Sequence, residues 1–264
     1  MAYENFIYEI KDGIATVRLN DPGKLNALTF KTYEELERLT RESADDDAVK
    51  VLVLTGEGKG FCSGGSVHDI IAKLVNMKGD SLYRFTRASC DVVKNMRNLK
   101  KPIIAAVNGM AAGAGAMLAL ASDFRIASVH ARFAFLFVRV GLSGADMGAL
   151  HLLPRIVGQG RATELLFLGD AIDAQEAWRI GLANRVVRHE DLMKEAYALA
   201  ERLKESPLYA LGLTKQLLNR EMQMDLDAAL EMEARAQAIC METADFREGY
   251  RAIVEKRAPT FNRS

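Results

Sequence analysis

The most suggestive chemical groups in this chain are backbone amides. Lys101 to Asp123, KPIIAAVNGMAAGAGAMLALASD, takes a short apolar run, Ile103 to Val107, into a glycine-rich turn where Gly113 and Gly115 flank Ala114, then into an uncharged helix. Glycines at such a junction let the backbone turn sharply and come close to a ligand. The first N–H groups of the new helix have no intrahelical partner and, reinforced by the helix dipole, suit an oxygen that becomes negative during a reaction. Upstream, Val51 to Thr55 also runs into glycine, GEGKGFCSGG from Gly56 to Gly65. Two clusters of amide donors facing one pocket is one reading, and a pair of glycine-lined packing joints is the other. Among carboxylates, Asp146 opens the amphipathic stretch MGALHLLPRIVG, where it suits either a helix N-cap or proton transfer.

Other chemistries find less support. Cys62, Cys90 and Cys240 are scattered without a CxxC pair, and His68, His130, His151 and His189 form neither HxxxH nor HExxH. No metal site is therefore expected, and the cysteine usage suits a reduced cytoplasm. Lys plus Arg equals Asp plus Glu at 35 each, so the overall charge calls for neither nucleic acid nor an acidic membrane. The apolar runs are too short to cross a bilayer, and the charged start MAYENFIYEIKDG has no export signal. Asn108 to Gly115 contains GxxxGxG, but no Tyr-x-x-x-Lys follows, which argues against a nicotinamide enzyme. GLSGA at Gly141 is only a partial nucleophile elbow.

The elements that must position these groups follow from periodicity. Ile14 to Leu19 reads as a half-buried strand before the turn Asn20 to Gly23, and a helix starts at Thr29 with Tyr33, Leu36 and Leu39 on its apolar face. Ser66 to Leu99 is helical in pattern and interrupted at Lys78 to Asp80. FRIA and ARFAFLFV, from Phe124, read as strands; Arg161 to Leu168, Asp173 to Ile180 and Asp191 to Leu203 read as helices. Beyond Ser206-Pro207 the pattern is helical almost to the end. Strand–helix alternation up to about Val187 implies an α/β body with a helical appendage, divided here as 1–196 and 197–264.

Four pieces together resemble the crotonase superfamily, the enoyl-CoA hydratase/isomerase family: LNDPGKLNAL, GKGFCSGG, KPIIAAVNGMAAGAGAMLALASD and GLSGADMGALHLLPRIVG. LGDAIDAQEAWRIGLANRVV also follows that family's pattern. The resemblance implies a spiral of ββα units with a C-terminal helical region that builds homotrimers, commonly paired into hexamers. It implies an acyl-CoA thioester as substrate, with CoA part of that substrate and no other cofactor. The backbone N–H groups of Gly65 and Ala114 would hold the thioester oxygen. Lys24, Leu25 and Ser63 would contact CoA, joined by Lys256 and Phe261 of the C-terminal segment, which in the family often reaches CoA from a nearby chain.

Two positions depart from the hydratases of that family, which carry glutamates where this chain has Met117 and Phe137. Met117 and Phe137 are expected to line the acyl pocket, and neither can move a proton. Asp146 falls where several isomerases and the aroyl-CoA dehalogenases of the family carry an essential aspartate. An apolar pocket would raise its pKa into a useful range. Double-bond migration by one carboxylate is thus the expected reaction. Hydration of a conjugated or cyclic enoyl-CoA, hydrolysis or dehalogenation, and CoA-ester binding without turnover are the alternatives.

Overall fold

The computed structural model describes residues 3–261. Phe6–Lys11 (β1) and Ile14–Leu19 (β2) form an antiparallel hairpin through Asp12 and Gly13, both at positive φ. β1 goes unmarked by the sequence pattern because Ile7 interrupts the alternation of Phe6, Tyr8 and Ile10. Phe30–Asp45 (α1) begins at a capping box in which the Thr29 hydroxyl accepts from the Thr32 amide at 3.2 Å and the Thr32 hydroxyl from the Thr29 amide at 3.1 Å.

Val51–Gly56 (β3), Ala72–Leu74 (α2), Asp80–Asn98 (α3), Ile103–Val107 (β4), Met110–Ala112 (β5) and Ala114–Ala121 (α4) follow. Next come Phe124–Ser128 (β6), Arg132–Ala134 (β7), Ala149–Val157 (α5), Gln159–Leu168 (α6), Ile172–Asp173 (β8), Ala174–Arg179 (α7) and Arg185–Val187 (β9). The chain closes with Leu192–Lys204 (α8), Leu208–Arg220 (α9), Leu226–Met241 (α10) and Ala244–Glu255 (α11).

One sheet has the order β1-β2-β3-β4-β6-β9 and is parallel beyond the hairpin; a smaller sheet has the order β5-β7-β8. β3 shows why its sequence is a continuous apolar run. Leu52 and Leu54 enter the main core with α1, α3 and α4, while Val51 and Val53 face Leu192, Ala196 and Ala200 of α8. The 196/197 division therefore falls inside α8, a helix packed on the sheet.

ARFAFLFV is strand only over β7, and Leu136–Val140 turns as a 3₁₀ helix into Gly141. The neighbouring strands β5 and β8 are three and two residues long, so the ladder has no partner beyond Ala134. The N-cap reading of Asp146 is also corrected: α5 starts three residues later, with Gly148 at φ 83 in the N-cap position. In the appendage, Lys215 of α9 donates to the Asp123 carboxylate at 2.7 Å and to the Lys101 carbonyl at 3.1 Å. Asp123 accepts from the Ile103 amide at 2.8 Å, which ties α9 to the start of β4.

Candidate active site

Two buried asparagines shape the first glycine junction. Asn26, at φ 58, donates from its amide to the carbonyls of Glu57 (2.9 Å) and Gly60 (2.8 Å) and accepts from the Asp21 amide at 2.9 Å. Asn108, after β4, donates to the carbonyls of Gly56 (2.9 Å), Gly58 (2.9 Å) and Gly60 (3.1 Å). The Gly56 to Gly65 loop is thereby fixed from both sides. Neither asparagine stood out in the sequence as more than part of a motif or a strand end, since their work is to satisfy carbonyls that only the fold brings near.

That loop lies directly against the second junction. Cys62 bridges Ala111, with the Ala112 amide donating to the Cys62 carbonyl at 2.9 Å. A Cβ on Gly115 would sit 2.1 Å from the same carbonyl, so only glycine lets the first turn of α4 approach this closely. A Cβ on Gly64 would lie 3.5 Å from the Ala114 nitrogen.

Among the described residues, neither amide expected to act donates a hydrogen bond. Leu28 donates to the Gly64 carbonyl at 2.7 Å and accepts from the Ser66 amide at 2.8 Å, so Gly65 stands opposite Leu28 with its own N–H turned away. Ala114 is the first residue of α4, behind Gly113 at φ 50. The first turn closes through the Met117 amide on the Gly113 carbonyl at 3.1 Å, leaving the Ala114 N–H outside the ladder. At the other end of α4, the buried Arg125 guanidinium donates to the Ser122 carbonyl at 2.6 Å and to the Leu182 carbonyl at 2.6 Å. Burial lowers its pKa only to about 10, so the cation persists at neutral pH.

Asp146 is half-buried, and burial raises its carboxyl above the ordinary range while a hydrogen bond from the Met147 amide opposes that shift. Met117 is fully buried and Phe137 nearly so, both in the main core with Met147. Tyr33, read in the sequence only as part of an apolar helix face, is buried, and burial foremost raises its phenol, with the Asp146 carboxylate adding to that shift. The Cys62 thiol is pushed up to about 12 by burial and remains protonated. His68 is exposed in the turn after Ser66.

Of the residues expected at CoA, three are brought together. The Ser63 hydroxyl donates to the Lys24 carbonyl at 3.0 Å, and the Ser63 amide donates to the Leu25 carbonyl at 2.9 Å. Lys24 is exposed, its ammonium 3.5 Å from Asp69 and 3.9 Å from Asp21. Lys256 and Phe261 lie instead at the end of α11, where the Phe261 ring would touch a Cβ on Gly249 at 3.9 Å. No hydrogen bond or ion pair joins them to Lys24, Gly65 or Ala114 among the described residues.

Two amides at adjoining glycine junctions could stabilise an enolate oxygen, and a half-buried carboxylate such as Asp146 could move a proton, if the three face one substrate. A family model described as enoyl-CoA hydratase/isomerase matches residues 9–264. A crotonyl-CoA hydratase of Syntrophomonas wolfei subsp. wolfei is 39% identical over 262 residues, covering 99% of each chain. A 1,2-epoxyphenylacetyl-CoA isomerase of Escherichia coli is 36% identical over 258 residues, covering 98% of each. Among solved structures, a Streptomyces coelicolor A3(2) protein aligns with a TM-score of 0.97 at 49% identity, covering 100% of this chain and 96% of that one. An enoyl-CoA hydratase from Bacillus anthracis aligns at 0.92 with 30% identity, covering 99% of this chain and 100% of that one.

Proposed function

The chain belongs to the enoyl-CoA hydratase/isomerase family and has its crotonase fold, and from that premise we propose that it shifts a double bond in an acyl-CoA thioester, with Asp146 as the acid/base. The observation that carries this reading is the half-buried Asp146 carboxyl, raised in pKa and not used to cap α5. Its carboxylate takes the proton from C2 of a 3-enoyl thioester. The electron pair moves onto the thioester oxygen, where the N–H groups of Gly65 and Ala114 receive it. Return of the proton to C4 leaves the double bond between C2 and C3. Each amide of such a pair is worth about 3 kcal/mol of barrier.

Lys24, Leu25 and Ser63 hold CoA in this reading, Lys24 as a point charge for phosphate. Met117 and Phe137 supply an apolar wall that cannot exchange protons. Lys256 and Phe261 would reach the CoA of a neighbouring subunit. A homotrimer or hexamer fits the exposed apolar side chains of the appendage, including Leu226, Leu230, Phe246, Tyr250 and Ile253. The three free cysteines accord with a cytoplasmic protein, and no helix among the described residues is long and apolar enough to cross a membrane.

Hydration by Asp146 alone is the second reading, favoured by the name of the Syntrophomonas relative. Mass spectrometry in deuterated water with crotonyl-CoA, a 3-enoyl-CoA and a dienoyl-CoA separates the two. Deuterium uptake without added water supports isomerisation, and the gain of one water by any of these esters contradicts it.

A further inference from the structure

Gly64, at φ 92, and Gly65 carry no side chains that could fix the direction of the Gly65 N–H. Glycine backbone is permissive, so an amide aimed from such a pair must be steadied by its neighbours. Leu28 steadies one edge, and the residues just after Gly65 supply a second hold. The buried Ser66 hydroxyl donates to the Asp69 carboxylate at 2.8 Å and accepts from the Asp69 amide at 3.1 Å. The Ser66 carbonyl accepts from the Ile70 amide at 2.9 Å and from the Ile71 amide at 3.1 Å, so the chain makes one wide π-helical turn, Val67–Ile71. Such turns are rare and recur at functional sites. This one brings the buried Ile70 side chain against Gly65, where a Cβ would lie 3.5 Å from Ile70 Cγ2.

Asp69 also reaches across to the neighbouring loop. The carboxylate oxygen that takes the Ser66 hydroxyl lies 3.5 Å from the Lys24 ammonium. Lys24 and Leu25 receive the Ser63 hydroxyl and amide on their carbonyls, so one loop grips the glycine segment at Ser63 and, through Asp69, again at Ser66. The Ser66 hydroxyl foremost, with the Lys24 ammonium, holds the Asp69 carboxyl below the ordinary range, and it remains an acceptor at neutral pH. An ion pair as exposed as Lys24–Asp69 adds little stability by itself. What the double contact fixes is the direction of the segment between.

Resting on the acyl-CoA reading, we infer that Ser66 and Asp69 are positioning residues that aim the Gly65 amide at the thioester oxygen, with Asp69 acting as an acceptor shared by Ser66 and Lys24. Difference infrared spectroscopy on the intact protein tests this with butyryl-CoA labelled with carbon-13 at the carbonyl, a saturated ester with no double bond to move or hydrate. Binding to the wild type should lower the carbonyl stretching frequency, because the amides polarise the bond. Ser66→Ala and Asp69→Ala should each cut that shift by about half and lower kcat with a 3-enoyl-CoA about tenfold, with KM within threefold of the wild type. Asp69→Asn keeps a side-chain oxygen for Ser66 and Lys24, and should retain both the shift and kcat. A lower melting temperature in the alanine variants with wild-type shift and kcat is the mark of a merely structural cap and overturns the inference, as does an Asp69→Asn protein as impaired as Asp69→Ala. Failure of butyryl-CoA to bind the folded wild type, or binding without a frequency shift, overturns instead the acyl-CoA and oxyanion reading on which the inference rests.

Discussion

Burial holds the Asp146 carboxyl above its ordinary range, and the Met147 amide offsets only part of that shift. For an acid raised in the folded state, ionisation costs stability: the cost is absent below the unfolded pKa, near 4, and full once pH exceeds the folded value. Asp146→Asn should therefore raise the melting temperature at pH 7 and lose that advantage near pH 4, a comparison that thermal melts at the two pH values make directly. The wild-type rate should fall as pH drops through the raised pKa, because the base must be ionised. Asp146 was legible as a carboxylate at the head of an amphipathic stretch. Asn26, Asn108 and Tyr33 were not, because an amide that satisfies three distant carbonyls and a phenol buried under Phe85 look ordinary until the loops close. Asn108→Ala would take the Asn108 donor from the Gly56 and Gly58 carbonyls and leave Gly60 to Asn26 alone, and should cost about 2–4 kcal/mol in urea denaturation.

At the scale of elements, β2, β3, β4 and α4 lie where the apolar runs placed them, since each is buried along its length or alternates cleanly. The pattern fails where tertiary pairing decides: β1, with its alternation broken at Ile7, and the stretch after Ala134, whose partner strands end. α4 is the element on which the oxyanion proposal stands, and its first residue offers a direct test. Proline is favoured at the first position of a helix, where the missing N–H has no intrahelical role. Ala114→Pro should accordingly melt within a few degrees of the wild type while kcat falls about 10²–10³-fold. A kcat within threefold of the wild type would remove Ala114 from the oxyanion pair. The buried Arg125 braces the other end of the same helix through the Ser122 carbonyl, a contact invisible in FRIA read as a strand.

Across the whole molecule, the α/β body and helical appendage followed from the sequence, and the placement of Lys256 and Phe261 did not, because it depends on one carboxylate. Glu248 pairs with Arg257 at 2.6 Å and accepts from the Thr260 amide at 2.9 Å, folding the C-terminal segment back along α11. The Arg257 guanidinium foremost, with the Thr260 amide, holds Glu248 down to about 2, so this latch persists above the ordinary Glu pKa and is lost as pH falls toward 2. Glu248→Gln should speed amide exchange at Thr260 at pH 7, read by hydrogen–deuterium exchange, and weaken CoA-ester binding if the segment serves a neighbouring subunit. The central claim is that Asp146 moves the proton while the amides of Gly65 and Ala114 hold the oxygen. Its most direct test is deuterium wash-in at C2 of a 3-enoyl-CoA, measured by mass spectrometry for the wild type and Asp146→Asn with ester affinity determined alongside. Exchange that falls at least 10³-fold in the variant while the affinity stays within threefold is the predicted result, and exchange persisting at the wild-type rate would contradict it.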